Sequence, residues 1–240
     1  MEYVFIYDNT FTGLLNLIDY LTNKKIKPYN IKNKYYSPSL FEKTIKLNIN
    51  NSNIHYYIIK KTTFPIYSTL YYIFLSSDPN KELIIYYFYI NAIKYKNKIF
   101  NMRNLKCINR ALKIVKYVKN ETHKYKGFVR FKETNNILYA EISPENNILE
   151  LLSIHFKKRL KNEYWIIKDV KRNISSFYNK KDFIIKNNID LNLDIKKDNY
   201  QDLWKLFYNT VGIENRTNEK CRRNFMPKRY WKYLVEMSDI

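Results

Sequence analysis

Two apolar, aromatic-rich stretches, Phe64–Leu75 and Leu83–Ile93, constrain this chain more than anything else in it. Each falls short of the roughly 20 residues that cross a bilayer. Each is apolar on most sides, so both read as helices buried in a core. Ser76-Ser77-Asp78-Pro79-Asn80 separates them as a turn, and the second helix extends over Lys81–Tyr95. At 240 residues the chain forms one large domain or two small ones around that core.

Upstream, Tyr3, Val4, Phe5 and Ile6 form a short buried strand. It runs into Asp8-Asn9-Thr10, whose short polar side chains cap a helix carrying Phe11, Leu14, Leu15, Ile18 and Leu21 at helical spacing. Lys43–Asn50 alternates as a strand, and His55–Lys61 is expected to pair with it. Arg103–Thr122 reads as an amphipathic helix. Leu105, Ile108, Leu112 and Val115 lie on one side, and Arg103, Lys106, Arg110, Lys113 and Tyr117 on the other. A strand-rich block follows. Phe128–Lys132 and Ile137–Ile142 form a hairpin across Glu133-Thr134-Asn135-Asn136, and Tyr164–Val170 and Ile174–Tyr178 form a second around Lys171-Arg172-Asn173. Between them lies a helix with Ile148, Leu151, Leu152, His155 and Arg159 on one stripe. Lys180–Asn199 reads as a loop or weak edge strand. Asp198 with Gln201 resembles a capping box that opens a helix with Leu203, Trp204, Phe207, Tyr208 and Val211 on its buried side. The fold class expected is α+β: an antiparallel sheet covered by helices, which the first strand can join to make it mixed. The expected organisation is an N-terminal α/β segment, 1–100, packed on a main domain, 101–240, or one continuous domain 1–240.

Charge sets the expected partner. Lys+Arg number 43 against 22 Asp+Glu, a formal net charge of +21. An A+T-rich coding sequence enriches Lys, Asn, Ile and Tyr, but the same bias also supplies Glu, and acids stay scarce. Part of the excess therefore has a physical purpose, and nucleic acid is the default partner of such a surface; a solvated face with no partner is the alternative. Hydrophobic residues at 45% exclude a disordered chain. The two cysteines, Cys107 and Cys221, exclude a disulfide scaffold, a four-Cys zinc site and a Cys-ligated iron–sulfur cluster built by this chain alone. Three histidines leave little material for a metal centre, so no metal and no cofactor are expected. Met1-Glu2-Tyr3-Val4 lacks the basic start of a signal peptide, and no lipidation motif is visible. A cytoplasmic protein with reduced thiols and no membrane partner is expected.

Several segments resemble a bacterial domain family of unknown function whose members are labelled probable DNA metabolism proteins. These are Tyr7–Gly13, His123–Phe131, Asn146–Phe156, Trp165–Asp169, Tyr200–Trp204 and Met226–Lys232. Asn9 departs from the family's usual Gly, but Asn tolerates left-handed geometry, so the turn survives. At Asn215-Arg216-Thr217-Asn218 the family tends toward Glu-Arg and a nearby Pro. The resemblance implies a DNA repair or DNA modification setting. It also implies a partnership with a radical-SAM protein, some members being fused to a uracil-DNA glycosylase-type domain.

Candidate catalytic groups are His123, Asp169, Asp8 and His155, each with a bland alternative. His123, with Lys126, Gly127 and Arg130, lies where the basic helix is expected to give way to a strand, and converges on a phosphate or simply caps a helix dipole. His155 reads as a core histidine, Asp169 as a turn ion pair with Arg172, and Asp8 as a helix cap. Candidate nucleic-acid contacts are Lys106, Arg110, Lys113, Lys126, Arg130, Arg172, Arg216, Arg222, Arg223, Lys228, Arg229 and Tyr230. There cations neutralise phosphates and aromatic faces stack bases. Three functions stay open: a DNA-binding companion of a repair or modification enzyme, an enzyme acting on nucleic acid through His123 or Asp169, and a protein-interaction module.

Overall fold

The computed structural model describes residues 2–47, 49, 51–188, 203–204, 206–207, 210–211 and 218–237. The chain divides into two compact units, Met1–Lys119 and Asn120–Ile240.

The first unit opens with strand β1 (Glu2–Tyr7), helix α1 (Phe11–Asn23) and strands β2 (Asn30–Asn33) and β3 (Glu42–Lys46). The strands form an all-parallel sheet in the order β2-β1-β3. Val4, Phe5, Ile6 and Tyr7 are all buried, because the middle strand of a parallel sheet is covered on both faces and so reads as a continuous apolar run. Helices α2 (Ile54–Lys61), α3 (Phe64–Phe74) and α4 (Lys81–Tyr95) follow. Ile66, Leu70 and Ile73 of α3 and Ile85, Phe88 and Tyr89 of α4 pack in one core with Leu14, Leu15 and Ile18 of α1. The pairing expected for His55–Lys61 is corrected: the segment is helical. Ile54 and Ile58, four apart, are its buried residues, and that period outweighs the β-branched composition.

Helix α5 (Lys106–Phe128) contains the division between the units. It runs past Thr122, so His123, Lys126 and Gly127 lie in its last turns and not in a turn before a strand. Gly127 adopts no positive φ.

The second unit holds β4 (Lys132–Thr134), β5 (Ile137–Ile142), α6 (Leu149–Arg159), β6 (Tyr164–Asp169), β7 (Ile174–Asn179), β8 (Phe183–Asn187) and α7 (Glu219–Phe225). Two 3-10 segments, Lys228–Tyr233 and Val235–Met237, follow. The sheet order is β4-β5-β6-β7-β8. The antiparallel expectation holds for three junctions and fails at one: β5 and β6 pair in parallel, Ile137 opposite Tyr164 through Ile142 opposite Asp169. The reason is α6, a crossover long enough to return the chain to the starting edge of the sheet. The first strand does not join this sheet, since it forms its own with β2 and β3. Asn135 (φ 51°) and Asn136 (φ 62°) make the two-residue loop between β4 and β5, the sign pair of a type I′ turn. Trp165 is fully buried on β6 and stacks on Tyr178 of β7, ring centroids 5.0 Å apart. On α6 the buried stripe is Leu149, Leu152, Ser153 and Phe156, so His155 and Arg159 lie to one side of it. The Asp198–Gln201 capping box lies outside the described residues.

Candidate functional site

In the first unit the chemistry gathers where the parallel strands end. β1 delivers Asp8, whose Oδ1 accepts hydrogen bonds from Thr10 N–H at 2.9 Å and Thr10 Oγ1 at 2.7 Å. Thr10 is the N-cap of α1, and its Oγ1 accepts from Gly13 N–H at 2.9 Å. Asn9 makes the intervening bend with φ 69°. Asp8 thus braces the N-cap residue Thr10 and is not itself the cap, and it also lines a cavity of about 510 Å³. Thr12, Gly13, Asn16, Lys34 and Lys46 line the same space, with Ile6, Leu17 and Leu47 as apolar wall. Asn16 is only 4% exposed and its carbonyl oxygen has no hydrogen-bond partner. Thr12 Oγ1 stands 2.8 Å from His55 Nε2, and the Tyr67 hydroxyl stands 3.0 Å from His55 Nδ1. Behind the cavity, Tyr7 donates to the buried Glu82 at 3.0 Å, and burial pushes the Tyr7 hydroxyl far above its ordinary pKa. Thr12, Asn16, Lys34, Lys46 and His55 are absent from the candidates read off the sequence. His55 was hidden by the strand reading of its segment; Lys46 at a strand end was the one signal available.

Along the first unit's part of α5, Ile108, Ala111, Val115 and Val118 are buried, while Lys106, Arg110, Lys113, Lys116 and Tyr117 are exposed. Arg110 is tied to Asp78 at 2.9 Å. Among the described residues no carboxylate pairs with Lys106 or Lys113.

In the second unit most of the candidate arginines hold the fold together. Asp169, fully buried at the end of β6, accepts from Arg172 at 2.9 Å. Arg172 also donates to the backbone carbonyls of Pro144 and Glu145. Burial pushes the Asp169 carboxyl upward, and Arg172 opposes that shift. The same 144–146 turn is gripped from α5: the buried Glu121 carboxylate accepts from Glu145 N–H at 2.8 Å, Asn146 N–H at 2.9 Å and Asn146 Nδ2 at 2.6 Å. Arg229 pairs with the Glu145 carboxylate. Arg130 donates to Glu236 at 2.6 Å and to the Gly127 carbonyl at 2.7 Å, and stands 5.4 Å from the ring of Trp204. Trp204 Nε1 donates to the same Glu236 at 3.1 Å. Burial pushes Glu236 upward, but the hydrogen bonds and charge of Arg130 outweigh it and hold the carboxyl below the usual range. Tyr230 is 2% exposed, packed edge-on against Tyr125 with centroids 5.0 Å apart.

Arg222 and Arg223 meet Glu219 within α7 at 3.4 and 2.6 Å, and Arg222 and Lys228 both stand over Trp231. Lys228 is exposed and Lys126 half-buried; Arg216 lies outside the described residues. His123 is exposed on α5. His155 is half-buried, its Nε2 has no partner, and burial, followed by the charges of Lys126 and Arg159, lowers its pKa. No hydrogen bond joins any two of His123, His155 and Asp169 among the described residues.

Among the described residues no group of three or more His, Cys, Asp or Glu side chains is placed to hold a metal, and no helix is long and apolar enough to cross a membrane. Cys107 and Cys221 are free. The molecule is an α+β protein that combines a parallel-sheet unit with a mixed-sheet unit clamped by arginine–carboxylate pairs. Residues 79–236, roughly two thirds of the chain, match the model of the family described as Domain of unknown function (DUF4130), and the chain belongs to that family. No curated protein matches it. The strand-end cavity precedes the matched region.

Proposed function

We propose that this protein binds nucleic acid as a companion in DNA repair or modification, acting beside a radical-SAM enzyme. The observation that carries the reading is the division of labour among the cations. Arg110, Arg130, Arg172, Arg222, Arg223 and Arg229 each face a carboxylate. Among the lysines, Lys61 and Lys157 pair with Asp19 and Asp182, whereas Lys106, Lys113 and Lys228 stand exposed with no carboxylate paired to them among the described residues. Exposed lysines neutralise phosphates without reading base edges, so the binding is sequence-independent. Resemblance to the probable DNA metabolism proteins supplies the repair setting and the radical-SAM partner. The reading assigns no reaction to the chain.

Fluorescence anisotropy with unrelated single-stranded and duplex DNAs tests it. Binding is expected for each, and Lys106→Gln/Lys113→Gln weakens all of them by the same factor. Absence of binding at low salt contradicts the reading. Co-purification of a radical-SAM protein in high salt, after nuclease digestion, tests the companion role separately.

A further inference from the structure

We infer that the cavity at the carboxyl ends of β1, β2 and β3 is a binding site for a nucleoside monophosphate, free or at the 5′ end of a nucleic-acid strand. Topology is the first ground. From the central β1 the chain passes through α1 to β2 on one side, and β3 lies on the other. The crevice outside the strand ends at such a reversal is where open α/β sheets receive ligands. The volume, about 510 Å³, is that of a small-ligand site.

The wall is divided chemically. Lys34 and Lys46 are exposed lining residues, whereas the amino end of α1 is already occupied: Asp8 braces the N-cap Thr10, and Thr10 Oγ1 accepts from Gly13 N–H. The two lysines supply the charge-assisted hydrogen bonds for a phosphate. The opposite chemistry sits on the same wall. Asn16 has a buried carbonyl oxygen with no donor, and Asp8 adds a carboxylate. A buried acceptor left unpaired costs free energy that a ligand donor recovers. Inorganic phosphate carries its few O–H groups on the anion itself and has no apolar face, whereas a nucleoside brings N–H and O–H groups at a distance from its phosphate. Ile6, Leu17 and Leu47 supply the apolar face for a base. With the imidazole proton on Nε2, His55 donates to Thr12 Oγ1, so the threonine hydroxyl keeps its own hydrogen for the phosphate.

Isothermal titration of the full chain with a deoxynucleoside 5′-monophosphate, its nucleoside and inorganic phosphate tests the site. The nucleotide is expected to bind saturably and more tightly than either fragment. Lys34→Ala/Lys46→Ala, at exposed positions, weakens it about tenfold or more. Asn16→Leu weakens the nucleotide and leaves inorganic phosphate unchanged. A 5′-phosphorylated oligonucleotide that outcompetes its 5′-hydroxyl twin, in wild type and not in the lysine variant, identifies the strand end as the source. Equal affinity for nucleotide and inorganic phosphate, or an unchanged affinity in Lys34→Ala/Lys46→Ala, overturns the inference, as does the absence of both nucleotide binding and a 5′-phosphate preference. Lys106→Gln/Lys113→Gln keeps nucleotide affinity, which separates this site from the polyanion-binding lysines.

Discussion

A Cβ added at Gly13 would meet the Asp8 carboxylate at 1.9 Å, so the absence of a side chain makes room for the cap: Asp8 holds Thr10, and Thr10 holds the helix. Gly13→Ala is expected to displace Asp8 and cost about 1 kcal/mol, the value of a lost cap. In an Asp8→Ala background the same change costs almost nothing, and a double-mutant cycle by urea denaturation measures the difference. His155 gives a pH signature with a definite sign. Its folded pKa lies below the ordinary 6.5, so as pH falls through 6.5 the unfolded chain takes up the proton first. Stability is therefore expected to fall from pH 6.5 down to the lowered value, and His155→Phe to lose that slope when denaturation midpoints are compared across the window. Asp169 and Arg172 bury an ion pair whose single truncation, Arg172→Ala, strands a carboxylate at 0% exposure. A loss of about 3 kcal/mol is expected in denaturant unfolding.

At the scale of elements, the periodic segments were the legible ones. α3 and α4 follow from apolar runs, and α5 shows its two faces because buried Ile108, Ala111 and Val115 recur at helical spacing. Two features were not legible. His55–Lys61 carries isoleucines and tyrosines that suit strands, and only burial of Ile54 and Ile58 by the surrounding helices decides for α2. The parallel pairing of β5 with β6 depends on where α6 returns the chain, which no local pattern encodes. The cavity is half legible: Asp8 stands out as a strand-end carboxylate, but Asn16 reaches the cavity wall, and His55 reaches Thr12, only through the fold. Turn chemistry offers a check at this scale. Asn135 and Asn136 both hold positive φ, so Asn136→Gly is expected to stabilise by a few tenths of a kcal/mol and Asn136→Val to destabilise by about 1 kcal/mol or more, read as shifts in the thermal midpoint.

For the whole molecule, arginine and lysine divide the work. Arginine's planar fork suits bidentate and multi-acceptor positions, and Arg172 and Arg130 each hold several acceptors from separate segments. Lysine, a hydrated point charge on a flexible stem, stays exposed at Lys106, Lys113 and Lys228, although Lys61 and Lys81 hold acceptors of the first unit. In the second unit, segments that carry the family resemblance converge on these arginine clamps: the end of α5, the 144–146 turn, the end of β6 and the C-terminal 3-10 segments. Resemblance in this part of the chain therefore reports architecture first, and the proposed polyanion-binding surface is assigned to less distinctive lysines. The slope of log affinity against log salt for one single-stranded DNA, in wild type and in Lys106→Gln/Lys113→Gln, tests that division most directly. Each phosphate contact removed lowers the slope by about 0.7. The account predicts a slope shallower by about 1.4 for the double variant, with unchanged stability; an unchanged slope, with affinity lost instead on replacing the clamp arginines in folded protein, would contradict it.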